Sequence, residues 1–169
     1  MNSLLPLPLV IGAFLGLGAF VTEAPAQAVP YKAKGTGFYT PVTGDYGGQG
    51  TGTHLGRHTF AGNVAVFPTG DPLVFTFQST SPQQTVAANG DILWFTSSGS
   101  VQLTPLDSTF TTFTAVWTGD FVVAGGTGRF ADSGPADQPL KGVAINDPFS
   151  LTDPVWTFSW TLEGKIVLH

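Results

Sequence analysis

Residues Val155 to Ile166 read VWTFSWTLEGKI. Trp156, Phe158, Trp160 and Leu162 alternate strictly with Thr157, Ser159, Thr161 and Glu163. Side chains along a strand point to opposite faces in turn, so this period of two predicts a strand with one buried and one wet face. Thr111 to Thr118 repeats the pattern, with Phe113, Ala115 and Trp117 against Thr112 and Thr114. Leu73 to Thr80 alternates less cleanly, through Phe75 and Phe77.

Working outward, the chain keeps the same character. Thr, Gly, Phe and Val dominate, and Gly or Pro recurs every few residues, as expected of short strands joined by turns. Asn89-Gly90 tolerates positive φ at both central turn positions and predicts a two-residue hairpin inside Thr85 to Phe95. Phe121 to Ala124 and Lys141 to Ile145 read as further short strands, and Gly52 to Val66 as one or two more. The count reaches about eight, which in an antiparallel all-β chain closes into a barrel or splits into a sandwich. The segments 135–139 and 147–154 are the loops with room for function.

The N-terminus is apolar from Leu4 to Val21 and ends in Ala26-Gln27-Ala28, an A-x-A cleavage pattern. A signal helix and peptide over 1–28, a loosely held lead-in over 29–49 with one strand near Gly35 to Tyr39, and a barrel domain over 50–169 follow. The expected location is secreted or periplasmic, with no integral membrane association after cleavage. The competing expectation is a retained N-terminal anchor. The chain holds no cysteine, which excludes disulfides and thiolate metal sites. Its net charge of −5 offers no footprint for nucleic acid.

Motifs with chemical meaning are few. Gly126-Thr127-Gly128-Arg129-Phe130-Ala131 fits G-x-G-x-x-A, but the following Asp132-Ser133-Gly134-Pro135 cannot start the helix that a dinucleotide fingerprint requires. It reads as a tight turn, and no cofactor is expected. His54 and His58 would stand about 13 Å apart on a strand, too far to share an ion, so no metal is expected. Arg57 and Arg129, the only arginines, both sit in Gly-Arg turns. They would either clamp an anionic ligand or pair with nearby aspartates at a barrel rim, and the pairing is favoured. The aspartates next to Gly and Pro read as turn caps. Glu163 falls on the Thr-bearing face and becomes a candidate acid or base only if that face lines a cavity. The candidate ligand-binding set is Trp117, Trp156, Trp160, Arg129 and Arg57, although tryptophans in such strands are more often core than ligand platform. No catalytic residue can be assigned.

VVAGGTGRFADSG, from Val122, resembles the G-G-T-G-[RK]-F segment shared by allene oxide cyclase-like barrels and plant dirigent proteins. GTGTHLGRHT, from Gly50, is similar to a stretch of small bacterial secreted proteins of that group, with His58 where an aromatic is common. The final strand is similar to their closing strand. The resemblance implies an eight-stranded antiparallel barrel of calycin-like type. Characterised members bind apolar small molecules and steer ring closure or radical coupling, often as trimers, so a homo-oligomer is implied. None of their catalytic carboxylates can be placed on this sequence. Three functions are expected, in order: a non-catalytic barrel that binds a small apolar ligand or serves a structural role, an envelope or surface interaction module, and a cyclase or isomerase.

Overall fold

The computed structural model describes residues 27–168; the expected signal helix lies outside the described residues. Ten strands and one turn of 3-10 helix make a single antiparallel sheet that closes on itself. The strands are β1 (Gln27–Thr40), β2 (Asp45–Gly52), β3 (Gly56–Pro68), β4 (Val74–Ser79), β5 (Gln83–Ala87), β6 (Ile92–Pro105), β7 (Phe113–Gly126), β8 (Gly134–Pro135), β9 (Leu140–Asn146) and β10 (Trp156–Leu168). The ring has eight positions. β4 and β5 share one of them: β4 pairs with one half of β3 and β6, and β5 with the other half. β8 and β9 share another, both pairing with β10. Each position bonds to its neighbours in chain order, and β1 closes the ring on β10 from Gln27↔Leu168 to Tyr39↔Trp156. The result is an up-and-down barrel, which leaves no sheet edge open.

The alternation in β10 and β7 holds as expected, but three expectations change. Residues 29–49 are not a loose lead-in: they build β1 and β2, and β1 makes the closing seam. Gln27 and Ala28 already pair with Leu168 and Val167, so the expected cleavage point lies inside β1. The expected strands at 111–118 and 121–124 join into one, β7 from Phe113, which pairs with β6 along its length with a register shift at Trp94/Phe95. At Asn89-Gly90 only Gly90 takes positive φ (89°), and Ala87 N–H donates to Asp91 O across a three-residue loop. Asn89 instead spends its side chain on Asp91, accepting from its backbone N–H and donating to its carboxylate.

Two apolar plugs fill the ends of the barrel. One packs Tyr31, Leu93, Phe95, Val123, Phe130, Leu140 and Ile166; the other packs Tyr39, Val101, Phe113, Phe149 and Trp156. The glycine-rich motif builds the first. Gly126 has no room for a Cβ beside Ile92 O and Phe130, and Gly128 turns at φ 58° against the Asp91 carboxylate. That turn drops Phe130, fully buried, into the barrel end. The 147–154 loop builds the second: Phe149 and Phe113 exchange backbone hydrogen bonds, and the Phe149 ring stacks on Trp156 at 4.0 Å. The 106–112 loop is held by Asp107, whose carboxylate accepts from Thr109, Thr111 and Thr112 and is therefore held well below the usual carboxylate range.

Between the plugs, inward positions are occupied by glycine. Aromatic rings lie over this bare backbone. A Cβ at Gly37 would meet the Phe158 ring at 2.6 Å, one at Gly50 the Trp160 ring at 2.6 Å, and one at Gly119 the Phe77 ring at 2.7 Å; at Gly142 it would meet Phe121.

This packing makes Phe130→Ala costly, by about 3–5 kcal/mol as for other buried aromatic truncations. Arg129→Gln, which removes only the half-exposed pair with Asp91 (3.1 Å), costs below about 1 kcal/mol. Urea unfolding of both variants checks the contrast; equal losses would contradict it.

Candidate functional site

The inward faces of β1, β3, β6, β7 and β10 leave a cavity of about 110 Å³ between the two plugs. Phe60, Phe77, Phe95, Phe121, Trp117 and Leu162 make most of its wall. One side is polar. Tyr46 Oη donates to Gln83 Oε1 (2.9 Å), and Gln83 Nε2 donates to Thr85 Oγ1 (3.0 Å). Gln83, Thr85, Ser97 and His58 are all buried, each on an inward position of β3, β5 or β6. Among the described residues, no Asp, Glu, Lys or Arg lines the cavity.

His58 has a defined state. Its Nδ1 lies 3.1 Å from Gly56 O, and a carbonyl only accepts, so Nδ1 carries the proton and Nε2 keeps a lone pair. Burial pushes the imidazole below its ordinary value, with the Gly56 carbonyl partly opposing. Burial likewise pushes the Tyr46 hydroxyl up to about 12, with a bond to Ser97 opposing. Both groups are therefore neutral near pH 7, and the cavity suits an uncharged occupant.

Two tryptophans of the expected set meet at this cavity. Trp117 donates its indole N–H to Asn146 Oδ1 (2.8 Å), and Asn146 is held in turn by its bond to Thr157 O. Trp160 packs edge-on against Phe60 at 5.3 Å and lies 5.9 Å from His58. Its Nε1 is buried and meets no protein acceptor among the described residues. Such a donor costs about 1–3 kcal/mol unless something takes its hydrogen bond.

The other members of the set lie elsewhere. Trp156 belongs to the plug with Tyr39 and Phe149. Arg129 is at the rim, paired with Asp91 and lying over the Phe130 ring at 5.0 Å, so it does not reach the cavity. Arg57 is exposed on the outer wall and forms no ion pair among the described residues. Glu163 is also outside, 3.4 Å from Lys32. The two histidines diverge: His54 sits in the β2–β3 turn with Nε2 3.1 Å from Pro30 O, while His58 turns inward. Among the described residues, no three His, Asp or Glu side chains converge as a metal site would require, and no helix is long and apolar enough to cross a membrane.

The sequence reading missed Tyr46, Gln83, Thr85 and Ser97, and weighed His58 only as a metal ligand. The available signal was phase. His58 and Phe60 share one face of their strand, and Gln83, Thr85 and Ala87 share one face of theirs, so the polar members are drawn inside with the apolar ones.

No protein-family model, no curated protein sequence and no solved structure matches the chain.

The state of His58 carries a pH dependence. Its folded value lies below the unfolded one of about 6.5, so the unfolded chain binds the extra proton first. The stability contributed by neutral His58 is present above about pH 6.5 and is lost as pH falls through the folded value. Thermal melts between pH 7 and pH 5 are expected to show this loss, and His58→Gln to flatten it. An unchanged slope in the variant would contradict the assignment.

Proposed function

We propose that the protein is a non-catalytic barrel that holds a small, uncharged, mainly apolar molecule between its two plugs. The observation that carries this reading is a cavity with aromatic walls and no ionised group among the described residues. A cavity of about 110 Å³ is somewhat smaller than the ~150 Å³ space that takes up benzene in an engineered core. It falls well short of the ~300–1,000 Å³ typical of pockets for drug-sized ligands. The occupant is then a compact molecule of a few heavy atoms. The Thr85 hydroxyl, which accepts from Gln83 and keeps its own proton to donate, favours one that also carries an acceptor.

The same volume weighs against a cyclase or isomerase. Steering a reaction by shape requires space for substrate and for its rearrangement. Among the described residues, His58 is the one imidazole of a cavity wall that holds no carboxylate or amine, and its lowered value makes it a weak base. Kinship with allene oxide cyclase-like and dirigent-like, calycin-type barrels is part of this proposal, supported by the up-and-down ring of eight positions and by the use of the GGTGRF segment as a barrel-end turn. Export to the periplasm or the medium remains a proposal carried by residues 1–28.

The test is acetone, a compact neutral acceptor, against acetate, its charged counterpart. Because Trp117 and Trp160 line the cavity, acetone is expected to change tryptophan fluorescence saturably, and acetate to leave it unchanged. Phe121→Ala should enlarge the cavity, admit toluene and lower stability, by less than the about 3–5 kcal/mol of a fully buried aromatic because Phe121 is half-buried. The reading fails if neither acetone nor toluene binds either protein.

A further inference from the structure

Glycine at the inward positions Gly35 and Gly50 thins the barrel wall and draws β1 and β2 together. A Cβ at Gly35 would collide with Gln49 O, and one at Gly50 with Lys34 O at 2.5 Å. On the outside of this wall lies a broad trough of about 920 Å³. It lies on the outer side of the wall from the interior cavity, and His58, Val143, Trp160 and Thr161 border both.

Six consecutive ring positions line the trough with two adjacent register rows. The first row runs Arg57, Thr51, Lys34, Thr161, Val143. The second runs Val86, Thr59, Gln49, Thr36, Ser159, Ile145. Polar side chains thus form the floor, and the apolar Val86 stands at one end with Val143 and Ile145 at the other.

Three observations set this surface apart. Lys34 and Arg57 flank Thr51 two strand spacings apart, about 10 Å. Neither forms an ion pair among the described residues, whereas Lys32, Lys141 and Arg129 each hold a carboxylate. No Asp or Glu lines the trough, in a chain of net charge −5. Finally, Thr36, Gln49, Thr51, Thr59, Ser159 and Thr161 stand side by side in the two rows and make no side-chain hydrogen bond among the described residues; elsewhere on the wall Ser100 bonds Thr118, while Thr76, Thr96, Ser98 and Thr104 are also free but do not stand beside an unpaired cation.

We propose that this trough binds a linear polysaccharide carrying carboxylates, such as a polyuronate. The two rows offer rigid hydroxyls and an amide for sugar hydroxyls, and apolar ends for the C–H faces of the rings. Lys34 and Arg57 take carboxylates spaced along the polymer. An extended acidic peptide would also satisfy the two cations, but it makes little use of a floor of paired hydroxyl rows. This inference is independent of the cavity reading.

The test uses the full chain and isothermal titration calorimetry with oligogalacturonate. Three comparisons accompany it: the fully methyl-esterified oligomer, poly-glutamate, and the variants Lys34→Gln/Arg57→Gln and Lys165→Gln. The expected result is saturable binding of oligogalacturonate, weakened at least tenfold by esterification and by the double variant. Lys165→Gln, which removes a cation outside the trough, should bind within twofold of the parent. Circular dichroism melts confirm that the variants fold, since all three positions are exposed. The proposal is overturned if oligogalacturonate does not bind, if the double variant binds as the parent does, or if Lys165→Gln weakens binding equally. Equal affinity for poly-glutamate would also overturn it, because charge alone would then account for the interaction.

Discussion

Aromatic rings laid over backbone without side chains govern this barrel. Eight strands enclose an interior that side chains can just fill, and the ends are filled by Phe130, Phe149 and Trp156 with their neighbours. At the waist the strands offer glycine inward, and Phe77, Phe121, Phe158 and Trp160 reach across from other strands to cover it. Each ring fills the space that a Cβ would occupy. A methyl group at Gly50 or Gly119 would force a ring or the sheet to move, and overpacking of this kind costs about 1–3 kcal/mol. Because a ring covers a glycine without copying the volume of the side chain it replaces, the waist keeps a cavity while the ends do not.

The two candidate sites follow from that arrangement. Inside, the missing side chains leave room beside Tyr46, Gln83 and Thr85, whose hydrogen bonds run along one wall. Outside, the same glycines bring β1 and β2 close and set Lys34, Thr51 and Arg57 in one row. Polarity is divided cleanly between them: neutral donors and acceptors face the interior, and the free cations face solvent. The glycine-rich segment at 125–128, which at first sight looks like a phosphate cradle, serves the fold by turning the chain and seating Phe130.

Much of the barrel was legible from period-two alternation. β10 and β7 could be read because Trp156 to Leu162 and Phe113 to Trp117 place large apolar groups on one face and Thr or Ser on the other. Of β1 only the stretch near Gly35 to Tyr39 was legible, and β2 was not. Their inward positions include Gly35, Gly37, Gly48 and Gly50, which carry no hydrophobic signal, and the partners of β1 on β10 are distant in sequence. The division of one ring position between β4 and β5 was hidden for a related reason: both are short, and only the length of β3 and β6 shows that they lie end to end. At the site, the tryptophans were legible as large and aromatic, but Trp156 and Trp160 look alike in sequence. Four residues apart on one face, they fall at different heights in the barrel, one in a plug and the other beside the cavity.

The central claim is that the waist of the barrel is hollow and apolar between two solid ends. A crystal of the protein pressurised with xenon tests it most directly, since xenon enters dry apolar cavities of this size and gives strong scattering. The account predicts a xenon atom between Phe60, Phe121 and Trp117, with none in either plug. An interior without xenon, closed by the rings of Phe77, Phe121 and Trp160 meeting one another, would contradict it.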